Sequence, residues 1–310
     1  MANEAADDET SYWIGRFSNI RQFVTQRTGR APHKPLLLLY LLGRFRRSGS
    51  TSVTFIEVEP VLRKLLVDFG PPNPRPRPEF PFARLENDGL WMVRGPNGEP
   101  NPGDNAVKLR QGGYVGELSS ELVQALTNSS DLVDTLANYL LYREFPESIH
   151  SLIAASVGLV FNNPILYDNY DSYEIVNRRK RPPGFRELVL DFFDGQCAFC
   201  GFYGRLDGQY VGVEAAHIQW FAYEGASDLS NGIALCALHH VLFDLGVMGI
   251  DEELAIDVSV RFDSESSAAR LVVSELKGKP IERFRKASSR VSPVNIAWHR
   301  TQVFKRPRSK

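Results

Sequence analysis

The chain has 310 residues, 43% hydrophobic and 24% charged, the composition of a folded protein long enough for two ordinary domains. A net charge of −1 excludes a bulk basic field as the route to nucleic acid, so any such contact has to come from local clusters. No run of about 18 apolar residues occurs, which excludes an apolar membrane-spanning helix, and the acidic Ala5-Ala6-Asp7-Asp8-Glu9 is unlike a secretory signal, so a cytoplasmic chain with no membrane partner is expected.

Taken in chain order, Tyr12 to Arg27 has helical periodicity, and His33 to Phe45 predicts a very apolar helix with Pro35 near its start. Val53 to Leu66 mixes strand and helix signals. The run Pro71-Pro72-Asn73-Pro74-Arg75-Pro76-Arg77-Pro78 predicts an extended loop. Phe80 to Leu85 and Leu90 to Arg94, on either side of Asn87-Asp88-Gly89, predict a β-hairpin. Leu118 to Arg143 is helical in pattern, and the Asn, Asp, Tyr and Pro content of Asn162 to Tyr173 marks a linker. Phe185 to Phe193 predicts a short helix, Val211 to His217 a strand after the Asp207-Gly208 turn, and Ile233 to Leu245 a helix. Leu254 to Phe262 alternates like a strand, with further β-structure and a terminal helix expected up to Trp298. The fold class is α+β: a mixed α/β N-terminal domain over 1–160, a linker over 161–181 and a C-terminal domain over 182–310.

All three cysteines lie in the C-terminal part. Cys197-Ala-Phe-Cys200 is a two-residue-spaced pair, and Cys236-Ala-Leu-His239 repeats the spacing with histidine as fourth ligand, a Cys3His set suited to tetrahedral structural Zn²⁺. Reduced core cysteines are the alternative. Around these pairs stand Glu214-Ala-Ala-His217-Ile, Ser230-Asn231-Gly232 and His239-His240-Val-Leu-Phe-Asp244.

These segments resemble the HNH, or ββα-metal, nuclease motif. Phosphodiester hydrolysis needs a base for water and a cation for the developing charge. His217 suits the base, because imidazole titrates near neutral pH. His240 and Asp244, one helical turn apart, suit a catalytic Mg²⁺ or Mn²⁺. The resemblance implies that Asn231 braces the loop holding the base. Many family members carry a metal ligand directly before that base, and here the position is Ala216. Glu214 lies three residues before His217, on the opposite face of a regular strand.

In the N-terminal half, His33-Lys34-Pro35-Leu36-Leu37-Leu38-Leu39 and Phe80-Pro81-Phe82-Ala83-Arg84-Leu85-Glu86-Asn87-Asp88-Gly89-Leu90-Trp91 resemble the sulfur-binding domain of type IV, McrA-like HNH restriction enzymes. The resemblance implies recognition of phosphorothioated double-stranded DNA, with Phe80-Pro81 contacting sulfur; the family often has tyrosine and arginine where Phe80 and Lys34 stand. Sulfur is larger, softer and a poorer hydrogen-bond acceptor than oxygen, so an apolar surface of Phe80, Pro81 and Ala83 favours it. His33, Lys34, Arg84 and Arg110 would hold flanking phosphates and bases. Further basic clusters occur at Arg44, Arg46 and Arg47, at Arg75 and Arg77, over Arg178 to Arg181, and over Lys305 to Lys310. Cutting both strands would require a homodimer. Two other readings stand beside this one: an HNH enzyme directed to methylated cytosine through an aromatic cage of Trp13, Trp91 and Tyr114, or a zinc-containing DNA-binding protein made inactive by Ala216.

Overall fold

The computed structural model describes residues 2–22, 24–25, 29–161, 183–287 and 291–306. The Arg178 to Arg181 cluster, residues 307–310 of the basic tail and all but the first residue of the expected linker lie outside them. The chain divides into two compact units, one built mainly on Arg30–Phe145 and one mainly on Arg179–Lys310, with the short segment Pro146–Ile149 belonging to the second.

The first unit is largely helical. After α1 (Ala2–Ser18) and a two-residue ladder of β1 (Val24–Thr25) with β2 (Gly29–Arg30), the chain enters α2 (His33–Ser48). α2 is buried without interruption from Pro35 to Gly43, the pattern of a central helix rather than an amphipathic one. A Cβ at Gly43 would fall 2.1 Å from the Val157 carbonyl oxygen, so glycine is what lets α2 meet the end of α8 (His150–Val157). β3 (Val53–Thr54) leads into α3 (Phe55–Phe69) through a capping box: Thr54 Oγ1 accepts from the Glu57 amide at 3.2 Å, and Glu57 Oε2 accepts from the Thr54 amide at 2.8 Å. That exchange satisfies two orphan donors and is worth about 1 kcal/mol.

The proline-rich loop ends in α4 (Glu79–Arg84) and a 3-10 turn, Leu85–Asp88, and not in the first arm of a hairpin. Pro78 and Pro81 explain the difference. Each fixes φ near the helical value, and neither costs a hydrogen bond in a first turn, where the amide would be unpaired anyway. Pro81, Phe82 and Leu85 then share a buried face at helical spacing. β4 (Trp91–Arg94) pairs with β5 (Val115–Leu118), which is central in the antiparallel order β3-β5-β4. Trp91 Nε1 donates to the Phe82 carbonyl oxygen at 2.8 Å, and Phe82 packs edge-on between Phe55 and Trp91. α5 (Ala106–Gln111), α6 (Ser120–Asn128) and α7 (Ser130–Glu144) complete the unit. The helix expected over Tyr12 to Arg27 stops at Ser18.

In the second unit, α9 (Phe185–Phe192) precedes the Cys197-Cys200 turn and a hairpin of β6 (Arg205–Leu206) and β7 (Gln209–Tyr210). Asp207 and Gly208 both take positive φ, 49° and 82°, as the tight hairpin turn requires. β8 (Val213–His217) pairs antiparallel with β9 (Gly232–Cys236), and α10 (Ala237–Asp244) follows directly. Ile233 to Cys236, expected as the start of the helix, is therefore strand; Ile233, Ala234 and Leu235 are all buried, so their helical look was only continuous apolarity. β10 (Met248–Ile250) and β11 (Ile256–Val258) form a second ladder. The C-terminal region is short helices rather than β-structure: α11 (Ser267–Val272), α12 (Glu282–Lys286) and α13 (Pro293–Gln302). Ser266 caps α11, and Pro293 occupies the first position of α13.

Candidate active site

The two helices beside the β8-β9 hairpin divide its faces. His217 and Gly232 are opposite partners in the register, and a Cβ on Gly232 would strike Val189 of α9 at 2.4 Å. The His217 ring accordingly stacks on Phe185 of α9, with centroids 4.1 Å apart and planes 15° from parallel. Glu214 and Ala216 alternate to the other face, where the Glu214 carboxylate meets His240 of α10.

His217 Nε2 lies 3.0 Å from Ser227 Oγ. Ser227 belongs to a loop that Asn231 holds. The fully buried Asn231 accepts from the Gln219 amide through Oδ1 at 2.7 Å and donates through Nδ2 to the Gln219 and Ala226 carbonyl oxygens, both at 2.9 Å. The Asn231 main-chain oxygen accepts from the Ile218 amide at 2.8 Å. Three of the four side-chain hydrogen bonds open to an asparagine are thus spent on fixing the backbone on both sides of the loop that leaves His217.

His240 stands between two carboxylates. Its Nδ1 is 2.6 Å from Glu214 Oε2, and its Nε2 is 3.3 Å from Asp244 Oδ2. Burial alone would push the His240 pKa down; the hydrogen bonds to Asp244 and Glu214 outweigh it and raise the value to about 10. The two carboxylates differ in kind. The Asp244 side chain is 1% exposed, and it also accepts from Trp220 Nε1 at 2.8 Å and from the Ser148 hydroxyl. The Glu214 side chain is 52% exposed, and its pKa is lowered chiefly by the hydrogen bond from His240, against partial burial.

Cys197, Cys200, Cys236 and His239 converge, with one ligand atom from each lying within 4.8 Å of all the others. The Cys197-Cys200 turn is closed by Gly201 N to Cys197 O at 2.8 Å and tied to β9 by Ala198 N to Ala234 O at 2.8 Å. His239 Nδ1 is 3.3 Å from both Cys197 Sγ and Cys236 Sγ, while Nε2 faces the Val272 carbonyl oxygen at 2.8 Å. The carbonyl takes an Nε2–H and thereby turns an Nδ1 lone pair toward the sulfurs, the outer-shell arrangement typical of a metal-bound imidazole. Hydrogen bonds from Cys197 and Cys200 push the Cys236 thiol down, while the Cys197 and Cys200 thiols are pushed up, so one of the three sulfurs carries the charge. The donor set and its convergence fit a tetrahedral zinc-type site.

The candidate DNA-reading residues of the first unit gather around α4. Phe80 is half-buried, with the Arg77 guanidinium 3.8 Å and the Arg84 guanidinium 4.3 Å from its ring centroid. Pro81 and Ala83 are buried. Lys34 pairs with Asp88 at 2.5 Å, Arg84 with Asp104, and Arg110 makes two contacts with Glu59 at 2.5 and 2.6 Å. His33 is partly buried, and desolvation lowers its pKa. Trp13 and Trp91 are 4% and 1% exposed, so the aromatic cage considered for a methylated base is not available: both indoles serve the core. Sequence reasoning passed over the partners of the basic residues, Glu59, Asp88 and Asp104, and the roles of Ser227 and Trp220. No local spacing signals them. Glu214 did carry a signal, its fixed offset from His217.

Residues 13–162 match the family described as ScoMcrA-like, DNA sulfur-binding domain, and residues 197–251 match the HNH endonuclease family. Among solved structures, the sulfur binding domain of SprMcrA complexed with phosphorothioated DNA is 24% identical; 48% of this chain and 94% of that one are covered, with a TM-score of 0.41. The corresponding ScoMcrA domain with phosphorothioated DNA is 18% identical over 47% of this chain and 95% of that one, with a TM-score of 0.39. For the type IV phosphorothioation-dependent restriction endonuclease ScoMcrA the values are 17%, 47% and 32%, with a TM-score of 0.36. No curated protein matches the chain. No helix among the described residues is long and apolar enough to cross a membrane. The chain joins a ScoMcrA-like DNA sulfur-binding domain to an HNH endonuclease domain that carries a Cys3His cluster.

Proposed function

We propose that this chain is a type IV restriction endonuclease that binds phosphorothioated duplex DNA through residues 1–160 and cuts phosphodiester bonds through residues 182–310, with 161–181 as linker. The observation that carries the reading is the presence of both matched domains in one chain; the His217 loop held by Asn231 supports it. In this reading His217 takes the proton from the attacking water; Phe185 and Ser227 hold its ring, and Asn231 holds the loop. His240 binds a Mg²⁺ or Mn²⁺ ion, which when bound stabilises charge on the phosphate and the leaving oxygen. Cys197, Cys200, Cys236 and His239 hold a structural Zn²⁺, so the adjacent His239 and His240 serve different metals.

Phe80, Pro81 and Ala83 form the proposed sulfur-facing surface, with Phe80 contributing most of its exposed area. Arg84, Lys34, Arg110 and His33 flank it, where a phosphate would compete with Asp104, Asp88 and Glu59 for the cations. Cleavage of both strands requires two sites, which a homodimer supplies. The test is Mn²⁺-dependent cleavage of a phosphorothioated duplex by the zinc-loaded protein. His217→Ala lowers the rate by about 10²- to 10⁴-fold while binding of the duplex stays unchanged. Cleavage by that variant at the native rate would remove His217 from the role of base.

A further inference from the structure

We infer that the carboxylate ligand of the catalytic divalent ion is Glu214, and that Asp244 is a positioning residue acting on the far side of the His240 ring. The inference rests on the nuclease reading of the site and assigns its ligands. The two ring nitrogens of His240 face different carboxylates, Nδ1 toward Glu214 and Nε2 toward Asp244, so one ion bound to His240 has to choose a side. The Asp244 side is closed. Oδ1 already accepts from Trp220, Oδ2 faces Ser148 as well as His240, and the side chain is 1% exposed, leaving no room for an ion that must also hold water and phosphate.

The Glu214 side is open. Half of that carboxylate is exposed, and it sits within hydrogen-bond distance of Nδ1. An ion there would take the Nδ1 lone pair and a Glu214 oxygen, while Nε2–H donates to Asp244. A carboxylate on the second nitrogen of a metal-bound imidazole fixes its tautomer and raises its basicity. Trp220 and Ser148 hold Asp244 in place for that duty. Ala216 projects to the same face of β8 as Glu214, one pleat further along, and offers only a methyl group. The missing donor at that position is thus compensated from two residues upstream, on the face away from His217. On this assignment the strand supplies the carboxylate and Asp244 orients the His240 ring.

The experiment is a Mn²⁺ titration of the zinc-loaded full chain, followed by electron paramagnetic resonance of the free ion, with zinc stoichiometry as the check on folding. Glu214→Gln weakens Mn²⁺ binding by at least about 30-fold with zinc content unchanged. Asp244→Asn keeps an oxygen acceptor for Nε2–H and costs less, on the order of 10-fold. Binding by Glu214→Gln within threefold of the native chain overturns the assignment while leaving the nuclease reading intact. Absence of Mn²⁺ binding by the native chain, with no nicking of any duplex, overturns both.

Discussion

At the scale of single residues, the site is built from side chains that each have two duties to satisfy. Asn231 is the clearest. It is fully buried, and its amide closes a loop on both sides. Removing it would strand main-chain groups of Gln219 and Ala226, at about 1–3 kcal/mol for each unsatisfied group. His299 shows the opposite economy: its ring stacks on Phe243 with centroids 3.8 Å apart, Nε2 donates to the Phe243 carbonyl oxygen, and Nδ1 has no hydrogen-bond partner among the described residues. Burial pushes the His299 pKa down to about 4, despite the raising effect of the carbonyl. An unfolded histidine titrates near 6.5, so as pH falls below that value the unfolded chain takes the proton first. Stability is full above about pH 6.5 and declines down to pH 4, by about 3 kcal/mol from this one group. Urea unfolding of native protein and of His299→Gln should therefore diverge between pH 7 and pH 4.5, the native chain losing more. Parallel curves would show that His299 takes its proton at the same pH in the fold as in the unfolded chain.

At the scale of elements, the parts legible in the sequence were those whose chemistry demands residue types at fixed spacing. The cysteine and histidine pairs converge, His217 stands at the end of β8, Asn231-Gly232 at the start of β9, and His240 on α10 one turn before Asp244. What could not be read was pairing across distance. Arg110 and Glu59 are separated by 51 positions, and Lys34 and Asp88 by 54, and nothing in either neighbourhood announces the other. α4 is not legible because Phe80, Phe82 and Leu85 sit beside a turn signal and mimic one arm of a hairpin, while Pro78 closes a proline run that looks like loop and Pro81 falls inside that apparent arm. β9 was misread because a buried strand and a buried helix turn look alike over four apolar residues. The zinc-type cluster ties these local pieces together, joining the Cys197-Cys200 turn to the start of α10. Chelation of the metal should abolish the cooperative thermal transition of the second unit, while hydrogen exchange in α2 stays protected. An unchanged melting curve after complete zinc removal would show that the cluster is not structural.

At the scale of the whole molecule, charge decides how DNA can be found. With a net charge of −1, and with Lys34, Arg84 and Arg110 already paired to carboxylates, the chain has little general attraction for phosphate. At these three residues a phosphate contact has to displace an internal anion, so ordinary DNA gains little there. On the proposed reading, discrimination comes from a local feature of the modified strand, and a soft, weakly accepting sulfur beside the half-buried Phe80 ring is such a feature. The most direct measurement is a gel shift and Mn²⁺ cleavage assay on matched duplexes that differ by one Rp phosphorothioate. The sulfur-bearing duplex should bind at least about 100-fold tighter, a difference of about 2.7 kcal/mol, and be the one that is cut; equal binding and equal cutting of the two would contradict sulfur-dependent recognition.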